Sequence, residues 1–135
     1  MDRPAHWPAV EDLRQDYYSP ERIPIPTEIA NRLYAEHFCD VEGLEVWTVD
    51  LWVWRLFDPD ATLGGNEARH RYCPAGHVLL EDTGDLDDMV ATAVHEVMER
   101  SAMMGGASYE EAHETALRAE SRYRLTADAD RAGPW

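Results

Sequence analysis

Two cysteines, Cys39 and Cys73, are all that the 135-residue sequence holds. They are too few for a disulfide framework and lack the paired spacing of a zinc knuckle, so both are expected to be reduced and structural. A ligand pair of His37 and Cys39 is disfavoured, because two residues two apart at a helix end point in different directions. There is no apolar run of about 18 residues, and no basic start followed by an apolar core. Neither a membrane span nor a signal peptide is therefore expected, and a cytoplasmic location is. Basic residues are scarce as well: 12 Lys and Arg stand against 27 Asp and Glu, a net charge of -15. Such a balance repels nucleic-acid phosphates and anionic membranes, so direct binding to either is not expected. It serves solubility, or else it imitates DNA and occupies a basic partner.

The length suits one domain able to bury a core, and 44% of the residues are hydrophobic. Five of the eight prolines fall in residues 1–26. Proline removes backbone donors and disfavours helix in the residue before it, so this stretch reads as an arm, with Trp7, Tyr17, Tyr18 and Ile23 to pack it over the domain. A helix is predicted from Thr27 as N-cap through Ile29, Leu33, Tyr34 and Phe38. "LEVWTVDLWVWRLF", residues 44–57, alternates on either side of Asp50 and predicts two strands joined by a tight turn. Its Trp47, Trp52 and Trp54 serve either a stacking platform or core packing. Residues 58–65, "DPDATLGG", form a loop, and "HRYCPAGHVLLED" predicts further short strands broken at Pro74.

The last third predicts a helical hairpin. One helix carries Leu86, Met89, Val90, Ala93, Val97 and Met104 and stops at Gly105-Gly106. Ser108 and Glu111 make a capping box for a second helix running to about Tyr123. The expected organisation is an arm over 1–26, a single domain over 27–124 and a frayed tail over 125–135.

"HEVME" places His95 and Glu99 four apart, on one helix face and about one turn from each other, with Glu96 about 100° away. Asp88, Ala91, Thr92 and Ala102 on that stripe leave room for an ion. His113 lies on the apolar stripe of the next helix with Tyr109, Ala112 and Ala116, and the hairpin can bring it across. Two imidazoles and one carboxylate suit Zn²⁺, with a water in a fourth position. Glu120, two turns beyond His113, stands roughly 10 Å away by helix rise; it reads as a supporting partner or a surface charge. The alternative is a charged helix that shows HExxE by accident, with His113 buried and satisfied locally.

The runs "VWTVDLWVWRLFDPDATLGG", "RYCPAGHVLLED", "VHEVMER" and "GGASYEEAHETALRAE" resemble a family of small uncharacterised phage and prokaryotic proteins. Their pattern has a D-x-D-x-T-x-GG loop, a Y-x-P segment, an HExxE helix and a Ser-Tyr-x-x-Ala-His helix. The match spans residues 45 to 120 in order. It supports Asp58, Asp60, Thr62, Gly64, Gly65, Tyr72, Pro74, His95, Glu96, Glu99, Tyr109, Ala112 and His113. In that family His often follows the Gly-Gly pair; here Asn66 does, and the nearest histidine is His70. The resemblance implies a metallopeptidase-like helix pair without a known substrate.

Together these readings predict an α+β fold, a short antiparallel sheet packed on a C-terminal helical hairpin. They give a Zn²⁺ site at His95, Glu99 and His113, with Glu96 as the base that activates water. Asp58, Asp60 or His70 would bind substrate or donate a proton, and Glu120 and Tyr109 would support the ligands. The alternative class is a non-enzymatic acidic binding protein, phage-encoded, that acts as an interaction module or DNA-mimic decoy.

Overall fold

In the computed structural model residues 6–132 are described. The elements run α1 (Val10–Leu13), α2 (Thr27–Leu33), β1 (Tyr34–Val41), β2 (Leu44–Val49), α3 (Leu51–Phe57), β3 (Gly64–Asn66), β4 (His77–Glu81), α4 (Leu86–Met104) and α5 (Tyr109–Ala132). The fold is α+β, with α4 and α5 forming the expected C-terminal hairpin.

The two helices end where local chemistry dictates. Asp85 caps α4 by accepting from Asp88 N–H at 3.1 Å. Gly106, at φ +105°, takes the turn that other residues avoid. Ser108 N–H donates to Glu111 at 3.1 Å while Glu111 N–H donates to Ser108 Oγ at 3.3 Å, the reciprocal pair of a capping box.

The sheet has the order β1-β2-β4-β3. β1 and β2 form an antiparallel hairpin about Glu42 and Gly43, at φ 50° and 80°, the positive angles of a two-residue turn. β3 is antiparallel to β4, but β4 lies parallel to β2, so the sheet is mixed rather than wholly antiparallel. The cause is Asp50. Its carboxylate accepts from Trp52 N–H at 2.9 Å and Val53 N–H at 3.3 Å, which starts a helix where a strand-to-strand turn was expected. The helical period then separates the side chains: Val53, Trp54 and Phe57 are buried while Trp52 is 78% exposed. Chain leaving β2 through α3 must cross over before it pairs again, and β4 enters in the same direction as β2.

Other expectations shift for similar reasons. The helix predicted to reach Phe38 stops at Leu33, and Pro26, not Thr27, occupies the cap position. Tyr34 to Val41 pair with β2 instead, a cross-strand contact that overrides the helical spacing of their apolar residues. Pro74 lies in a turn, and β4 follows it as one strand. Beyond Tyr123 the chain stays helical to Ala132 rather than fraying.

Cores lie on both faces of the sheet. Leu44, Val46, Val78 and Leu80 pack under Met89 and Ala93 of α4. Val49 and Leu79 face Trp7, Leu13, Ile29, Leu33 and the buried side of α3. Within the Pro-rich arm, Trp7 is buried against Phe57 with ring centroids 4.9 Å apart, and Tyr17 is exposed; residues 1–5 lie outside the described residues. Trp54 is therefore a core residue and not part of a stacking platform. Among the described residues no helix is long and apolar enough to cross a membrane.

The helical assignment of α3 has a direct test in urea unfolding. Trp54→Ala should cost about 3–5 kcal/mol, as for a large buried aromatic, whereas Trp52→Ala should change stability by about 0.5 kcal/mol or less. Equal losses would favour a strand with both rings packed.

Candidate metal centre

His95 and Glu99 leave one face of α4, and the antiparallel α5 delivers His113 to the same point. One ligand atom from each lies within 4.8 Å of the others. Glu99 Oε2 is 3.1 Å from His95 Nε2 and 2.9 Å from His113 Nδ1. Donors bound at about 2.0–2.1 Å around a tetrahedral zinc stand roughly 3.3 Å from each other, so two imidazoles and a carboxylate at these spacings fit such an ion with little movement.

The second nitrogen of His95 also has a carboxylate: Nδ1 lies 3.0 Å from Glu120 Oε1, while Glu120 Oε2 accepts from Arg124 Nε at 3.1 Å. This is the support that a metal-binding imidazole needs to fix its orientation. Tyr109 OH stands 3.4 Å from His113 Nδ1. With acceptors on both sides, His95 without a metal is held as imidazolium. Burial opposes that charge, but the bond to Glu99 and the charges of Glu96, Glu99 and Glu120 outweigh it and push its pKa up to about 9. Glu99 responds in the opposite sense. Burial raises its pKa, yet the bonds from His95 and His113 bring it below the ordinary carboxylate value.

Glu96 sits beside these three groups, buried, and borders the same cleft of about 330 Å³. Burial and the neighbouring Glu99 charge drive its pKa well above the carboxylate range. Its fixed point is Asn66. Asn66 Nδ2 donates to Glu96 Oε1 at 2.9 Å and to Glu99 Oε1 at 3.2 Å, while Oδ1 accepts from the backbone N–H groups of Ala68 and Arg69. In the sequence Asn66 stands out only as a departure from a histidine. Its place directly after Gly64-Gly65 is the available signal, because Gly64 lets β3 press on α4. A Cβ on Gly64 would come within 2.8 Å of Thr92 Cγ2 and 3.1 Å of Glu96 Cγ.

The other predicted residues divide. His70 borders the cleft but is buried, with Nδ1 3.6 Å from Asp58 and without a hydrogen bond. Burial holds its pKa down to about 4, so it is neutral. Asp60 stands at the cleft rim, exposed, 3.5 Å from Arg14. Asp58 does not face the cleft. It is fully buried and accepts from Arg14 Nη2 and Tyr72 OH, each at 3.1 Å, which makes it an anchor and not a substrate contact.

Comparison with family models, curated proteins and solved structures finds no match.

The titrations predict how the metal-free protein behaves. His95 has a folded pKa near 9, above its ordinary 6.5, so the stabilisation it brings is complete below pH 6.5 and lost as pH rises to 9. Glu96, also raised, loses stabilisation in the same direction as it ionises. In EDTA the melting temperature should fall from pH 6.5 to 9. If zinc binds these groups, the stability it adds should grow over the same range, because ligands must shed their protons to bind it. Scanning calorimetry at each pH reads both. Separately, Asn66→Ala should cost about 1–3 kcal/mol in urea unfolding, since it strips a donor from two buried carboxylates.

Proposed function

We propose that the protein is a zinc-dependent hydrolase of the metallopeptidase kind, with His95, Glu99 and His113 as ligands and Glu96 as general base. The convergence of those three ligand atoms in one cleft with a second buried carboxylate supports this reading. Held by these three residues, Zn²⁺ would supply Lewis-acid chemistry, polarising a carbonyl and acidifying water. A carboxylate ligand in place of a third imidazole lowers the ion's net charge and makes that acid weaker. Glu96 takes up the water's proton and passes it to the leaving group, a task suited to its raised pKa. Asn66 holds Glu96 by one oxygen and leaves Oε2 free of that bond. Neutral His70, bordering the same space, is suited to a hydrogen bond with the polarised oxygen. Two free thiols, Cys39 and Cys73, agree with a reducing, cytoplasmic setting.

A second reading rests on the net charge of -15: an acidic protein that docks on a basic partner. Its affinity would fall steeply as salt shortens the Debye length towards about 8 Å, whereas partly buried ligand bonds to an ion are screened far less.

Protein purified without chelator or metal-affinity tag should carry near-stoichiometric zinc by elemental analysis. His95→Ala and His113→Ala should lose it. EDTA should lower the melting temperature of the wild type, with about 4 kcal/mol at stake when free zinc exceeds its dissociation constant a thousandfold. Glu96→Gln should keep the zinc and cut any hydrolysis by roughly 10²–10⁴. Absence of zinc, with melting unchanged by EDTA in wild type and His95→Ala alike, would sink the proposal.

A further inference from the structure

The cleft is bordered by two arginines as well as by the histidines and glutamates. Cations are rare in this chain, which has no lysine and 12 arginines against 27 acidic residues, so two on one cleft is a local reversal of the overall charge. The backbone sets them together. Arg14 is bridged antiparallel to His70, with Gln15 N–H donating to Arg69 O at 3.2 Å and Arg71 N–H donating to Leu13 O at 2.7 Å. Arg14 and Arg69 thus start from adjoining positions of one short ladder.

Their side chains differ in what they have left to offer. Arg14 is largely neutralised, 3.1 Å from Asp58 and 3.5 Å from Asp60, yet its Nε is buried without an acceptor. Arg69 is held and under-used. Its guanidinium lies 3.6 Å over the Tyr109 ring and Nη1 donates to Gln15 O at 3.0 Å. Its one ion pair among the described residues, with Asp16 at 3.7 Å, meets a carboxylate that is 85% exposed and strongly screened. Among the described residues the other N–H donors of its guanidinium take no hydrogen bond. Tyr109, the ring that supports it, also reaches His113, so the guanidinium is placed next to a metal ligand.

We propose that Arg69, assisted by Arg14, grips a carboxylate of the substrate, so that the hydrolysed amide belongs to a peptide or acyl amino acid bearing a free carboxylate near the scissile bond. This rests on the hydrolase reading above. A guanidinium offers two parallel donors in one plane, which match the two oxygens of a carboxylate. A dianionic phosphate would fit the cleft less well, because Asp60, Glu96, Glu99 and Glu120 border it too. The carboxylate comes from a chain terminus or from an acidic side chain; the recognition chemistry is the same.

The test uses binding, not turnover. Three probes carry the same zinc-binding hydroxamate cap: Ala-Ala with a free C-terminal carboxylate, Ala-Ala carboxamide, and Ala-Asp carboxamide. Calorimetry on zinc-loaded wild type should show at least one carboxylate probe binding about tenfold or more tighter than Ala-Ala carboxamide, the scale of a charge-assisted pair. Whichever of the two gains identifies terminus or side chain. Arg69→Gln should erase the preference and leave the neutral probe unchanged, with folding checked by melting temperature. Arg69→Lys, which keeps the charge but not the paired donors, should restore only part of it. Equal affinity for all three probes on zinc-loaded wild type overturns the clamp while leaving the hydrolase reading intact. So does a preference that survives Arg69→Gln, because the carboxylate is then bound elsewhere. A wild type that takes up no zinc, or zinc-loaded protein that binds no hydroxamate, overturns the hydrolase reading instead, and the clamp with it.

Discussion

Glu99 is a carboxylate at 3% exposure, and burying such a charge without partners costs several kcal/mol. Three side chains make its position tolerable: His95 from its own helix, His113 from α5 and Asn66 from β3. One carboxylate therefore ties a helix, its hairpin partner and the edge strand of the sheet to a single point. Displacing any of these elements would take one of its partners away. The same donors that satisfy Glu99 are those that an ion would replace or join, so the structural requirement and the candidate chemistry are one set of bonds.

The parts legible in the sequence were those governed by neighbours in the chain. The four-residue step from His95 to Glu99, the capping box at Ser108 and the glycine stop are local, and the α4–α5 hairpin follows from them. His113 could be placed because one turn connects the two helices. The sheet was harder. Residues Tyr34 to Val41 carry apolar side chains at helical spacing, and only pairing with β2 makes them a strand. "LWVWRLF" alternates like a strand, and only the Asp50 carboxylate, bonding two N–H groups ahead of it, makes it a helix.

Asp58 and Asn66 exchanged importance between sequence and structure for a related reason. An aspartate in a glycine-containing loop suggests a solvent-facing ligand, but burial beneath Arg14 and Tyr72 depends on residues far away in the chain. Asn66 looked like a loss of a histidine. Its four hydrogen bonds, two to carboxylates and two from backbone amides, become visible only once β3 lies against α4. The Pro-rich arm acts at similar range. Arg22 donates to the carbonyl oxygens of Glu67, His70 and Cys73, pinning the loop that bears His70 and Arg69.

The parallel pairing of β2 with β4 bears on the order in which the molecule assembles. Strands that run in the same direction with a crossover between them must close a long loop before they gain any contact, and such pairing is intrinsically slow. The three candidate ligands, His95, Glu99 and His113, lie within residues 95–113 on a helical hairpin, an element that forms on a far shorter timescale. An ion captured by the nascent hairpin would then be held before the opposite wall of the cleft, built from β3 and the arm, has closed over it.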